Sequence, residues 1–323
     1  MVRDLRVSFL IRNTSWWVLL TLLRTLIVLF ICAVLRATIA SLKKRFPRMM
    51  PEFIQSFTRF LEEIRRTKML SLCIPTINRF DQFLSKNLDK YFEYLDEGLI
   101  AEIVISDETG EDYAKLQEKY ATRLGENFRI FKNDSVLGVF KNKLHVCRLA
   151  RYEHIALIDS DNFADRNYFL AATLALQNCR TEKYLILAPS FARPHKPLNY
   201  KQYCGVVTRH EVASLSQEER FLILLNTGNF VLSKAVVDEF VYDGDDALIS
   251  MISSCDVIYF NLLAFQQFPE LKMHIVKDME YDHVVHSGSI YLRCHHAGDK
   301  YYHNTIIPAL RKLSNTSVPL SPQ

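Results

Sequence analysis

Glycine and proline are scarce in this chain, 9 and 10 among 323 residues, which excludes a collagen-like or Gly/Pro-rich disordered composition. Cys32, Cys73, Cys147, Cys179, Cys204, Cys255 and Cys294 form no CxxC pair, so zinc ribbons and thioredoxin-like redox motifs are excluded. An odd number leaves a thiol unbridged, and the set reads as reduced core thiols, as in a cytosolic domain. Neither sign of charge is in excess: 40 Lys and Arg against 36 Asp and Glu give +4, too little to imply a nucleic-acid partner. The stretch CIPTINRF after an apolar run has no glycine, so it cannot be a Gly-rich phosphate loop of the kind a nucleotidyltransferase needs. Repeats and low-complexity tracts are absent too. What is present is 49% hydrophobic content, enough for one large domain with a short appendage.

The longest apolar run is Trp16 to Leu35, interrupted only by Thr21, Arg24 and Thr25, about the length that crosses a hydrocarbon core. Arg24 opposes insertion by roughly 3 kcal/mol, while the 13 Leu, Ile, Val and Phe residues contribute roughly 6 kcal/mol in favour. Insertion wins, and residues 1–40 are expected to be a membrane anchor, single-pass or interfacial. Trp16 and Trp17 at one end and basic residues at both ends suit the interface. Arg36, Lys43, Lys44, Arg45 and Arg48 follow the run, which places the downstream domain on the cytosolic side. The lumen of the Golgi or ER is the alternative that sequons at Asn13, Asn133 and Asn315 would favour if used.

Residues 41–68 are basic, and Phe53, Phe57, Phe60, Leu61 and Ile64 recur at helical spacing, which predicts an amphipathic linker helix. A domain is expected over 69–300 and a tail over 301–323. Its first strand, in MLSLCIPTINRF, ends at Pro75. A helix from Gln82 to Leu95, a strand from Ile100 to Ser106 and a helix from about Asp112 follow. NFRIFKN predicts a third strand, Lys141 to Ala150 a helix, and HIALIDSDN a fourth strand. This alternation argues for a mostly parallel α/β sheet with ligand loops at the strands' carboxyl ends.

Asp159 and Asp161 end the apolar strand HIALI, where alternation sets both on one side of an extended chain. Two such carboxylates can hold a hard divalent cation, which can bridge two phosphates and neutralise a leaving diphosphate. The spacing alone says little, since Asp243 and Asp245 repeat it in a loop-like stretch; the strand-end position carries the inference.

Four blocks, in this order, resemble the family 2 glycosyltransferases: LSLCIPTINRF, EIVISDETGED, NDSVLGVFKNKLHVCRLARYEHIALIDSDN and LLNTGNFVLSKAVVDEF. The resemblance spans roughly 69–290. It implies a GT-A fold, a Rossmann-like mixed sheet flanked by helices, and a nucleotide-diphosphate sugar donor. It also implies Mn²⁺ or Mg²⁺, inversion at the anomeric carbon, and a glycan, lipid or protein acceptor. The Gln-x-x-Arg-Trp signature of processive synthases in the same superfamily is absent.

On that resemblance Pro75, Thr76 and Asn78 match the nucleotide loop, and Asp107 an acid that contacts the nucleoside. Glu108 or Asp112 suits a helix cap instead. Lys141 and Lys143 match donor-side positions, where an ammonium suits a diphosphate; the bland alternative is a solvated helix face. The base that inversion needs is expected at Asp256, with Asp246 or Asp245 as the fallback, and Asp256 also suits a helix cap. His283 or His286 could reach the metal or diphosphate, although structural histidines are the commoner finding. Two other functions remain open on residues alone: a metal-dependent hydrolase of a nucleotide or sugar phosphate using Asp159, Asp161 and the histidines, and a membrane-tethered binding protein on the same fold.

Overall fold

The computed structural model of the protein describes residues 70–215, 224–242, 255–289, 292, 300 and 302–309. All of them fall in the second of the two units into which the chain divides, Arg65–Gln323. The expected anchor, the linker helix, the C-terminal tail beyond 309 and the fallback acids Asp245 and Asp246 lie outside the described residues. Among the described residues, no helix is long and apolar enough to cross a membrane.

The first half is a parallel α/β unit. Strands β1 (Leu70–Thr76), β2 (Glu102–Asp107), β3 (Phe128–Lys132) and β4 (His154–Leu157) lie in the order β3-β2-β1-β4, all paired in parallel. Between them run α1 (Ser85–Asp96), α2 (Glu111–Lys119) and α3 (Val139–Arg148). Both faces of the sheet are covered, as its sequence requires. Leu70, Leu72 and Ile74 enter one apolar cluster and Cys73 the other; Ile103 and Ile105 divide from Val104 in the same way. This is period-2 alternation with no polar face.

The second half departs from the expected mostly parallel sheet. After β5 (Phe163–Ala164) and α4 (Arg166–Asn178) come β6 (Leu185–Arg193), β7 (Gly205–Thr208), α5 (Arg209–Leu215), β8 (Val231–Ser233), α6 (Lys234–Glu239), α7 (Asp256–Gln267) and β9 (Lys272–Asp282). Strand β8 inserts antiparallel between β4 and β6, β6 and β9 are parallel, and β5 and β7 pair antiparallel with β9. Among the described residues parallel and antiparallel pairings are therefore equal in number, and the sheet is mixed.

Expected boundaries shift for local reasons. Strand β2 begins at Glu102 rather than Ile100, because the Ile100 N–H still bonds to Tyr94 O at the end of α1. The helical stretch before it begins at Phe80, in a wide turn that runs into α1, because Asp112 accepts the backbone N–H groups of Arg79 and Phe80. Helix α3 begins at Val139 because Glu108 accepts the Gly138 N–H, with Gly138 at φ 80°, where a side chain would be strained. Cys73, Cys147 and Cys179 are free and buried, as expected of core thiols, and Cys255 is buried as well; Cys204 is free but exposed.

Candidate active site

The carboxyl end of β4 is held from both sides. Ile158 N–H bonds to Cys73 O of β1, and Leu157 N–H to Phe230 O just before β8. Beyond it Asp159, Ser160, Asp161 and Asn162 form a tight turn closed by Asn162 N–H to Asp159 O at 3.0 Å. The turn is tied down at three more points. Asp159 N–H donates to Asn229 Oδ1 (2.7 Å), Val284 N–H to Asn162 Oδ1 (3.0 Å), and Asn87 Nδ2 to Asn162 O (2.9 Å). The two carboxylates thus stand on a turn anchored to α1, to the segment before β8 and to the exit of β9.

Each carboxylate meets a cation from a different element. Lys143 of α3 places its ammonium 2.9 Å from Asp159 Oδ1 and 2.9 Å from Asp256 Oδ2. Asp256 opens α7 and is buried. The walls around this bridge are apolar, formed by Phe140, Leu144, Leu157, Phe230 and Phe260. Burial alone would push the Lys143 ammonium down, but Asp159 and Asp256 together hold it above its ordinary value. Burial raises the Asp256 carboxyl, against the pull of Lys143 and with Asp159 adding to the rise.

Asp161 faces the other way. Its Oδ2 lies 3.2 Å from His286 Nε2 and 3.9 Å from Arg79 Nε. Gly288 N–H donates to His286 Nδ1 at 3.1 Å, so the ring proton sits on Nε2, aimed at Asp161. Arg79 also donates to Gly288 O (2.7 Å) and to Asn78 O (3.3 Å), joining the loop after β1 to the loop after β9. Burial first, and then the charge of Asp159, raise the Asp161 carboxyl against the pull of His286 and Arg79. Asp159 and Asp161 are both partly exposed carboxylates, the ligand type a hard divalent cation takes. But the turn, in place of the expected extended chain with both on one side, gives them different partners, Lys143 for Asp159 and His286 with Arg79 for Asp161.

The remaining sequence candidates separate. Thr76 is buried, and its hydroxyl donates to Asp112 at 2.5 Å. Pro75 is buried in the register of β1 with β2. Asn78 is exposed, at φ 52°, with its Oδ1 accepting from the Thr109 hydroxyl at 3.2 Å. Asp107, expected to face a nucleoside, is instead fully buried and turned into its own loop, accepting Thr109 N–H (3.2 Å) and Tyr113 N–H (2.8 Å). Burial raises its carboxyl, and those two N–H groups oppose the rise. Glu108 and Asp112 do not cap the helix they adjoin but clamp other segments, Glu108 accepting the Gly138 N–H and Asp112 those of Arg79 and Phe80. Lys141 and Lys143 are two residues apart on α3 and so point in roughly opposite directions; Lys143 meets Asp159 and Asp256. His283 lies away from Asp161, its ring 5.0 Å from that of His195. Its Nδ1 is buried without a partner among the described residues, and burial with His195 lowers its pKa. Asn133, a sequon position, is buried and bonded to Ser106, Glu108 and Asn142.

Sequence reasoning missed Arg79, Asn162 and Asn229. The signal for Arg79 was a basic side chain in the loop after β1, on the sheet edge where the acids emerge. Asn162 follows the acidic pair directly, and Asn229 sits in a TGNF turn at φ 53°, a conformation in which Asn is enriched.

Residues 71–188 match the model of a family described as glycosyl transferase family 2. The chain carries a family 2 glycosyltransferase segment. It runs from β1 into β6 and includes Lys143, Asp159 and Asp161, whereas Asp256 and His286 lie beyond it. No curated protein sequence matches the chain. Among solved structures it is similar to S. aureus TarS 1–349 in complex with UDP-GlcNAc, at 14% identity and TM-score 0.51, over 69% of this chain and 60% of that one. It is also similar to glucosyl-3-phosphoglycerate synthase from Mycobacterium tuberculosis in complex with Mn²⁺, UDP and phosphoglyceric acid (14% identity, TM-score 0.52, 77% and 82% of the two chains). A third is mannosyl-3-phosphoglycerate synthase from Rubrobacter xylanophilus (16% identity, TM-score 0.50, 80% and 81%). The chain spans 40% of the longer TarS structure, less than two thirds of that protein. At these identities the likeness is one of fold, a mixed sheet flanked by helices in keeping with GT-A.

Proposed function

We propose that the protein is a metal-dependent, inverting glycosyltransferase that uses a nucleoside-diphosphate sugar and is attached to a membrane through residues 1–40. The observation that carries this reading is the Lys143 bridge, one ammonium 2.9 Å from the strand-end acid Asp159 and 2.9 Å from the helix-start acid Asp256. It brings a phosphate-binding cation, a metal-side carboxylate and a buried carboxylate of raised pKa to one point. The donor class follows from the family 2 segment and from the UDP-GlcNAc and UDP complexes of the two similar proteins.

A cation such as Mn²⁺ or Mg²⁺, held by Asp159 and Asp161, would offset the charge of the leaving diphosphate. Around it the chain's own groups divide the work. Lys143 turns from Asp256 to the diphosphate, and Arg79 and His286 keep Asp161 oriented. Asn78 presents polar groups to the base or ribose. Thr76, Pro75 and Asp107 shape that loop from within, and Lys141 stands on the donor side of α3. Asp256, freed of its ammonium, takes the proton of the acceptor hydroxyl as that oxygen bonds to the anomeric carbon. The bond to the diphosphate breaks on the opposite face, and the nucleoside diphosphate leaves with the electron pair. The acceptor is a glycan, lipid or protein hydroxyl. The apolar run at residues 16–35 and the basic residues after it support a cytosolic domain at a membrane surface.

The test is a panel of nucleotide sugars with Mn²⁺, read as released nucleoside diphosphate and as sugar on the acceptor. Release that depends on Asp159, Asp161 and Asp256 supports the reading. Absence of release from every donor, with UDP failing to bind, would overturn it.

A further inference from the structure

At the other end of β9 from the acid turn, three side chains of different chemistry converge. Cys179 follows α4, Glu182 lies three residues on, and His274 sits near the start of β9. Among the described residues this is the one cluster of cysteine, histidine and carboxylate groups close enough to share a metal ion. His274 Nε2 lies 2.8 Å from Glu182 Oε2. Cys179 Sγ lies 3.7 Å from both ring nitrogens. The thiol is buried, and its hydrogen-bonding contact among the described residues is this imidazole. None of the three takes part in the donor site.

We infer that Cys179, Glu182 and His274 form a second metal site, one for a zinc-class divalent cation. The donor set is a thiolate, an imidazole and a carboxylate, which suits a borderline-soft ion rather than the hard cation of an all-oxygen site. The spacing suits it as well. A tetrahedral ion ~2.3 Å from sulfur and ~2.0 Å from nitrogen holds those atoms about 3.5 Å apart, and Sγ stands 3.7 Å from the ring nitrogens; His274 Nε2 and Glu182 Oε2, at 2.8 Å, part by roughly 0.5 Å to admit it. The cation replaces the proton shared by His274 and Glu182, the Cys179 thiol releases its proton to solvent, and water completes the shell. Two negative ligands and one neutral one then balance the double charge. Lys272, 3.2 Å from Glu182 Oε1, leaves Oε2 as the ligand oxygen and orients it, as an outer-shell partner does. Burial pushes the Cys179 thiol up to about 11, so without metal the cysteine is an inert thiol. The bound ion would tie the end of α4 to the start of β9, 95 residues away in sequence.

The experiment uses the full chain in detergent, stripped by chelation and titrated with Co²⁺, then with Zn²⁺. Expected is a sulfur-to-cobalt charge-transfer band that saturates at one equivalent and is displaced by Zn²⁺. It should be lost in Cys179→Ser, strongly reduced in His274→Gln and kept in Asp159→Asn and Asp161→Asn. Absence of the band from the wild type, or equal amplitude in Cys179→Ser, would overturn the site. Should Cys179→Ser fail to fold, Glu182→Gln decides. Zn²⁺ affinity about 10-fold or more weaker supports ligation, and unchanged affinity refutes it.

Discussion

Two residues, Lys143 and Asp256, carry the sharpest consequences. Asp256→Asn keeps the side chain's size and much of its hydrogen bonding but removes basicity, so donor affinity should survive while turnover falls by roughly 10² to 10⁴. Comparing donor titration with initial rates separates the two effects; near-full turnover in Asp256→Asn would move the base elsewhere. Asp161→Ala should abolish metal-supported UDP binding, with Asp159→Ala less uniform in effect because Asp159 also holds Lys143. Calorimetry with UDP and Mn²⁺ reads this directly. At this scale sequence conveyed part of the site. The strand-end acids were legible because position on a buried strand fixes their direction, and Lys143 and Asp256 were singled out as individual residues. That one ammonium joins them was not legible, since it depends on α7 returning to α3 from more than a hundred residues away. Asp107 turned inward for a related reason: the adjacent turn supplies two N–H groups that only the folded loop brings to it.

Elements are steadied by buried acids and by one unusual histidine. Asp112, at the start of α2, accepts from Thr76, Arg79 and Phe80, so Asp112→Ala leaves several buried donors without a partner. It should destabilise the domain by about 3 kcal/mol, seen as a lower denaturant midpoint with unchanged slope. On β4, His154 is buried with Nδ1 lacking a partner among the described residues, and burial lowers its pKa from 6.5 to about 4. The folded state therefore favours the neutral ring. That stability is intact above pH 6.5 and is lost as pH falls towards 4, in total by at most about 3 kcal/mol. His154→Gln should flatten the pH dependence in this window while leaving the curve above it parallel to wild type. The parallel half of the sheet was legible because β1, β2 and β4 are short apolar runs between turn signals. Strand β6 carries an equally plain run in LILA yet goes unassigned from sequence. Strand β8, of three residues, lies in the LLNTGNFVLSKAVVDEF block, where the resemblance implied a strand, whereas β5, of two residues, has no local signal, since β9 defines it.

For the whole molecule, the family 2 segment ends at residue 188, while the proposed base and the histidine beside Asp161 lie after it. In the proposed mechanism, catalytic competence depends on the half of the sheet that the family match does not reach. The proposed membrane attachment has its own test. Deleting residues 1–40 should move the protein from the membrane to the soluble fraction, and carbonate extraction of the full chain separates spanning from peripheral attachment. A full-length protein soluble without detergent would remove the anchor from the proposal.

The ammonium shared by Asp159 and Asp256 also bears on the order of events in a two-substrate reaction. While Lys143 neutralises Asp256, an acceptor that arrives first finds no free base, and a stray water is equally idle. In the proposed reaction the diphosphate is the group that draws the ammonium away, so the donor arms the site. Initial-rate patterns should accordingly be those of an ordered mechanism with donor first, the product nucleotide competing with donor and not with acceptor. Lys143→Met should loosen that order and raise the share of donor lost to hydrolysis.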